Sequence, residues 1–366
     1  MKILHINSYY FESSLYKNLY DTQIEKGHEI VVYVPALKNQ KPDFDHGDYT
    51  LISYCMKKYM RFFFRYKQKL IYKDLKSKLD LSSFDIVHAH TLFTNGYLAY
   101  KIKKEFGIDY ICNLRNTDLN LYLRYRWSLF LVANKIIKLS REIVFISEIY
   151  KIRTIRLLSL YFSKNKIQKS KVIPIGIDNY WLKNRKTKHD PADDELIIVQ
   201  AGNVNKNKNQ MSSIKAIKLL IENGYNIKFI IAGKIKSIRL FKKIQSYNFI
   251  VYAGFLNKLQ LLQLFNVSQI FLMPSLHETF GLVYAEAISQ SVPIVYSKNE
   301  GFDLQFEDGL VGLPVNPKNI YEISSAIEKI INNINNYFDI SKYVIKFDWN
   351  EITESYTQLY EYKSIL

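Results

Sequence analysis

Cysteine is nearly missing from this chain. Cys55 and Cys112 are the only two among 366 residues. Far apart in sequence, they form no metal or redox spacing, which fits a reducing compartment. No uninterrupted apolar run reaches about 18 residues, so a membrane-spanning helix is not expected. The opening MKILHINSYY has one Lys before a strand-like run, so no secretory leader is expected. No zinc-finger or RNP-type signature occurs, so nucleic acid is not expected as a partner. There is no short-period repeat and no low-complexity tail. Hydrophobic residues make up 48% of the chain. That is enough to build a globular fold, and the length suggests two domains of about 150–200 residues each.

The chain also lacks an even spread of charge. Residues 1–190 carry 34 Lys and Arg against 17 Asp and Glu, and the remainder carries 17 against 17. The whole net charge of +17 therefore sits in the first half. Such asymmetry points to an anionic partner for one domain. Within KKYMRFFFRYKQKLIYKDLKSK (57–78), Lys58, Arg61, Arg65, Lys69, Lys73 and Lys76 recur every three or four residues. This spacing predicts one helix with a basic face, beside a face of Tyr59, Phe63, Tyr66 and Leu70. Basic and aromatic stripes side by side suit an anionic membrane surface. The competing reading is an ordinary helix with one solvated and one buried face. YLRYRW (122–127), Arg153 and Arg156 add to the basic character.

Apolar runs alternate with longer helical stretches. The first half holds KILHIN (2–7), EIVVYV (29–34), DIVHAH (85–90), DYICNL (109–114), EIVFIS (142–147) and KVIPIGI (171–177). The second holds ELIIVQAG (195–202), IKFIIAG (227–233), FIVYAG (249–254), IFLMPS (270–275), VPIVYS (292–297) and LVGLPV (310–315). Runs without polar alternation suit parallel strands buried on both faces, so the expected class is α/β with two doubly wound domains. The polar stretch KNRKTKHDPADDE (183–195) reads as the linker. The expected division is 1–185, 190–345, and a terminal helix over 346–366.

Ligands of doubly wound sheets bind beyond the carboxyl ends of strands. GNVNKNKNQ (202–210) follows one strand there, with Lys206 and Lys208 placed before a helix to meet an anion. GKI and GFL follow the next two strands, and HETFGLVYAEA (277–287) follows the fourth. Two acids eight positions apart, in an otherwise apolar stretch, are unusual for core.

PSLHETFGLVYAEA (274–287) resembles the signature of the retaining glycosyltransferases of family 4, which have the GT-B fold. GNVNKNKN resembles their phosphate turn, VIPIGID (172–178) their Pro-Asn-Gly-Ile-Asp segment, and SVPIVYS with EGF and DGLVGLPV their later motifs. FDWNEITESYTQLYEY (347–362) resembles their terminal helix, which returns to the first domain. The resemblance implies two Rossmann-like domains facing across a cleft, the second binding a nucleotide-sugar. It implies that Glu286 accepts hydrogen bonds from the ribose hydroxyls and that Glu278 faces the donor sugar. Phe280, Gly281 and Leu282 would aim backbone N–H groups at sugar and phosphate oxygens. Lys208, with Gly202 and Asn203 in the turn, would meet the diphosphate, and Phe255 would meet the base. In the first domain, Arg115 and Asp118 of NLRNTDLN (113–120), together with His90, are the candidates for facing the reaction centre.

Some positions depart from the family pattern. Asn203 replaces a usual Arg, Ile175 replaces the Asn of Pro-Asn-Gly, and the loop 7–18 lacks a Gly pair. DFDHGD (43–48) contains a D-x-D, but it reads as a solvated loop and not as a metal site. No metal or other cofactor is therefore expected, with Lys208 and the helix N-terminus taking the role of a cation. The expected activity is transfer of a sugar, with UDP as its carrier, to a polyprenyl-diphosphate-linked glycan in capsule or exopolysaccharide synthesis. The basic stripe would bind acceptor and membrane at the inner face of the cell membrane. Two other readings are a nucleotide-sugar epimerase and a lapsed subunit that binds glycan or a partner enzyme.

Overall fold

The computed structural model describes residues 1–119, 127–158, 164–186 and 195–361. The chain divides into two compact units. The first comprises Met1–Ile146, Tyr150–Pro174 and the segment from Trp349 onward, and the second comprises Ser147–Ile149 with Ile175–Asp348.

The first unit is built on seven parallel strands: β1 (Lys2–Ile6), β2 (Glu29–Leu37), β3 (Thr50–Met56), β4 (Ile86–Ala89), β5 (Asp109–Leu114), β6 (Glu142–Phe145) and β7 (Lys171–Val172). Their order across the sheet is β3-β2-β1-β4-β5-β6-β7. Helices cover both faces, as parallel strands require, and the inner strands are buried along their length. The helix Trp349–Glu361 belongs to this unit. Its Tyr356 accepts a hydrogen bond from Asn113 Nδ2 at 3.0 Å, and its Tyr360 accepts one from Gln23 Nε2 at 3.0 Å.

The second unit has six parallel strands: β8 (Leu196–Ala201), β9 (Ile227–Ala232), β10 (Ile250–Gly254), β11 (Ile270–Met273), β12 (Ile294–Ser297) and β13 (Gly312–Val315). The order is β10-β9-β8-β11-β12-β13. The chain reverses direction across the sheet between β8 and β11, and such switch points open a crevice at the carboxyl ends.

Four expectations change. TLISYC is a strand at the sheet edge, β3, although its sequence has no apolar run. The run KVIPIGI contributes only Lys171 and Val172 to the sheet, because Pro174 cannot donate to a ladder. The stretch 57–78 is not one helix. A 3-10 segment, Lys58–Phe62, precedes the helix Phe64–Lys78, and Phe63 between them is non-helical. Phe64 turns inward against Phe93 and Tyr97. Phe62 and Phe63 stay outside, at 64% and 60% exposure. The six cations therefore do not share one helical face, and Lys76 is paired with Glu105. DFDHGD is not simply solvated either: His46 is buried and stacks on Phe44 at 3.9 Å.

Candidate active site

The switch point of the second sheet gathers the predicted donor residues. After β8, the turn 202–209 is held by its asparagines. Asn205 Oδ1 accepts from the Lys208 N–H at 2.9 Å, and Asn209 Nδ2 donates to the carbonyls of Pro274 and Pro317. Asn207 fastens this turn to the loop after β11. Its Nδ2 donates to His277 O at 2.9 Å, and its Oδ1 accepts from the His277 N–H at 3.1 Å. The two loops are thereby zipped together across the switch point. Lys208 Nζ consequently meets Glu278 Oε2 at 2.6 Å, with side-chain exposures of only 20% and 13%.

Glu278 is supported from behind. Its N–H donates to Glu300 Oε2 at 2.8 Å, and its carbonyl accepts from the Gly301 N–H at 2.9 Å. Asn207 and Glu300 are structural partners that the sequence reading did not single out. The only signal for them lay inside the quoted segments GNVNKNKN and EGF.

Gly281 caps the helix Leu282–Ser289 at φ +81°. A Cβ there would lie 2.5 Å from the Tyr284 ring and 3.1 Å from Glu278 Cγ, so the position requires glycine both for its backbone and for room. Leu282 follows as the first residue of that helix. The Phe280 side chain is core, packed on Phe302 and Phe347, so only its backbone is available to a ligand.

Glu286 lies on the same helix, partly buried beside the Trp181 indole N–H, Lys258 and Asp178. Burial pushes its carboxyl up to about 7, opposed by Lys258 and the Trp181 hydrogen bond. Asp178, the last residue of VIPIGID, caps the helix Asn179–Lys183 and pairs with Lys258.

A pocket of about 200 Å³ lies at the ends of β8, β9 and β10, bounded by Gly202, Asn203, Gly233, Lys234, Phe255 and Val283. Phe255 is 66% exposed, with Lys234 Nζ 4.7 Å from its ring centre. Gly233 is required here because a Cβ would lie 2.1 Å from Gly202 O. A flat ring against Phe255 and an anion near Lys208 are what this end of the sheet can accommodate.

In the first unit, His90 and Asp118 face inward and not toward an open site. Asp118 accepts from the N–H groups of Leu92, Phe93 and Arg115 at 3.0–3.2 Å. Burial still pushes its carboxyl up to about 6, against those donors. With its lone pairs so used, it anchors the loop after β4. Arg115 is also buried. Its Nε reaches His90 O at 3.4 Å, while its Nη1 has no partner. Of this trio, Asp118 is fully engaged, while Arg115 Nη1 and His90 Nδ1 are both buried without a partner.

His90 belongs to a cluster that the sequence reading missed. Strand register sets His5 beside His88, and His90 stacks on His88 at 4.1 Å. His5 Nδ1 lies 3.0 Å from His90 Nε2. Ligand atoms of the three rings lie within 4.8 Å of one another. Both nitrogens of His88 are engaged, by the Tyr360 hydroxyl at 2.8 Å and Asn113 Oδ1 at 3.0 Å. The cluster is thus a hydrogen-bonded core element and not a preformed ligand set. Burial holds all three imidazoles below their usual range, His88 at about 3.

Of the basic stripe, Lys58, Arg65 and Lys69 are exposed, while the Arg61 side chain lies outside the described residues. So do Tyr122–Arg126, most of the linker 183–195, and Asn120.

Comparison with known proteins agrees with this architecture. Residues 14–179 match the model described as Glycosyltransferase Family 4, and residues 183–347 match Glycosyl transferases group 1. An uncharacterized glycosyltransferase of Methanocaldococcus jannaschii is 21% identical over 305 residues, 77% of this chain and 76% of its own length. The capsular polysaccharide biosynthesis glycosyltransferase CapM of Staphylococcus aureus is 26% identical over 58% of this chain and 56% of its own. The Anabaena protein HepE, solved with UDP and glucose, superposes with a TM-score of 0.66 at 16% identity, over 98% of both chains. With the two matched models covering nearly its whole length in sequence, this chain belongs to the glycosyltransferases, a family 4 module followed by a group 1 module.

Proposed function

We propose that the protein transfers a sugar from UDP to a hydroxyl of a lipid-linked glycan, with retention at the anomeric carbon, in synthesis of a capsule or related envelope polysaccharide. The observation that carries this reading is the Lys208–Glu278 contact at the switch point, beside a pocket with an exposed aromatic ring. Lys208 would stabilise the departing diphosphate, as a cation does for a leaving anion. Glu278 would hold a hydroxyl of the donor sugar and Glu286 the ribose diol, which an acceptor-only carboxylate suits. The leaving diphosphate would accept the proton of the attacking hydroxyl on the same face. No metal takes part in this reading. HepE was solved with UDP and glucose and CapM is named for capsule synthesis, which favours the UDP and envelope parts of the proposal. Incubation with UDP-glucose or UDP-galactose and a lipid-linked acceptor, followed by NMR of the product linkage, tests it. An α-linked product from an α-donor is expected. An inverted product would contradict the mechanism, and sugar release without an acceptor requirement would contradict the transferase reading.

Glu286 gives this reading a pH signature. Only the carboxylate can accept from both ribose hydroxyls, and its group titrates near 7. UDP affinity should rise from pH 6 to about 8, then level off. It should fall about tenfold for each unit below the carboxyl's own pKa. Glu286→Gln should bind weakly at every pH. Titration calorimetry at four pH values checks this, and a flat profile in the parent protein removes the ribose role.

The cytoplasmic membrane face is the proposed place of action. Tyr59, Phe62, Phe63 and Tyr66 are 48–64% exposed beside Arg65 and Lys69. Such a ridge would bury rings in the headgroup region while cations meet lipid phosphates. Neutralising Arg61, Arg65 and Lys69 together should release the protein from phosphatidylglycerol vesicles in a flotation assay. Retained binding would sink the membrane role of this segment.

A further inference from the structure

The first unit contains a second pocket, away from the histidine cluster. It has a volume of about 530 Å³ and opens at the carboxyl ends of β1, β2 and β3. Lys57, Lys58 and Lys67 line it, together with apolar Phe11, Pro35, Leu37 and Met56. Ser8, Glu12 and Gln40 complete the wall. The missed strand β3 makes this pocket, because its last residue, Met56, delivers Lys57 and Lys58 to the rim. The exposed ring of Tyr59 follows directly, with Lys57 Nζ 5.9 Å from its centre.

We propose that this pocket is the subsite for the diphosphate and proximal sugar of a prenyl-linked acceptor. The inference rests on the transferase reading above and deepens it. Three ammonium groups at a strand-end pocket match a diphosphate, each giving a charge-assisted hydrogen bond. Inorganic pyrophosphate would gain nothing from the apolar wall, whereas the first isoprene units of a carrier lipid would bury against it. Glu12 would oppose a bare anion, yet with Ser8 and Gln40 it offers acceptors for the hydroxyls of the first sugar. Phe62, Phe63 and Tyr66, all exposed, follow Lys58 closely in sequence and line a separate pocket with Ser128 and Leu129. They are the rings that the far end of a prenyl chain would meet on this segment.

The test uses the full chain and three probes: geranylgeranyl diphosphate, inorganic pyrophosphate and phosphatidylglycerol vesicles. The variants are Lys57→Gln/Lys67→Gln, and Lys104→Gln on the helix Gly96–Phe106 as an exposed control outside the pocket. The prenyl diphosphate should bind at least about tenfold tighter than pyrophosphate, through the apolar wall. The double variant should bind it at least about tenfold more weakly than the parent, and Lys104→Gln should bind it like the parent. UDP affinity should stay unchanged throughout, which also certifies the fold. An unchanged affinity of the double variant for geranylgeranyl diphosphate overturns the proposal. So does pyrophosphate binding as tightly as the prenyl compound, or an equal loss on vesicles, which would assign the lysines to lipid headgroups in general. Failure of UDP to bind the parent protein would strike the donor reading instead and leave this pocket's result standing.

Discussion

Replacing Lys208 by Met should lower turnover about 30- to 150-fold, while replacing Glu278 by Gln should abolish transfer and leave UDP affinity equal or tighter. The first figure corresponds to about 2–3 kcal/mol for one charge-assisted contact to a leaving group, felt fully in the transition state. The sign of the second comes from the geometry. Lys208 and Glu278 are paired at 2.6 Å and mostly withdrawn from water. An incoming diphosphate must therefore compete with Glu278 for the ammonium. Removing the carboxylate's charge ends that competition, so the nucleotide loses nothing and gains a less committed lysine. The sugar hydroxyl, however, loses its acceptor. Lys208→Met should weaken UDP, since it removes the cation and leaves the Glu278 charge without its partner. Steady-state kinetics and UDP calorimetry on both variants check this. Equal weakening of UDP by the two substitutions would make the pair a scaffold and not a shared donor site.

Mild acid should destabilise the first unit. His5, His88 and His90 are fully buried, and burial holds each below its ordinary value. A group with a depressed folded pKa gives stability that is complete above its unfolded pKa, near 6.5, and lost as pH falls toward the folded value. Each such histidine costs about 1.4 kcal/mol per pH unit in that window. Asp118 works in the opposite direction. Its folded value, about 6, is raised, so its contribution is complete below its unfolded value and lost as pH rises through 6. It offsets part of the histidine loss on acidification. The net loss between pH 7.5 and 5 is on the order of 4 kcal/mol, or about 10 °C in the first unit's melting temperature. His88→Gln keeps both hydrogen bonds, accepting from Tyr360 and donating to Asn113, without the titration. It should flatten the pH slope by roughly a third. A slope identical to the parent's would show that the cluster does not govern acid stability.

Most of the second sheet was legible in the sequence because its strands are buried on both faces and read as short apolar runs. β3 was not, because it lies at an edge, where Ser53 and Tyr54 interrupt the run and most of the strand is only half-buried. The break at Phe63 was hidden for a related reason. Periodicity counts cations at steps of three and four, but the chain bends to bury Phe64, and a single aromatic in the core outweighs a surface stripe. The donor pair was legible through motif order. Its geometry was not, since Asn207 and Asn209 read as turn formers and their long-range hydrogen bonds leave no trace in spacing. The histidine cluster was half-visible: His88 and His90 share a strand face by their period of two, but His5 joins them only through the β1–β4 register. The role expected of Asp118 rests on a motif resemblance and that of His90 on its place at a strand end, and neither says whether a side chain points outward.

UDP is best titrated into the parent protein and Glu286→Ala, each with and without EDTA. The parent should bind UDP equally well in both conditions, and the substitution should weaken that binding strongly. Binding that vanishes with EDTA, or that Glu286→Ala leaves intact, would contradict a metal-independent donor site built on this helix.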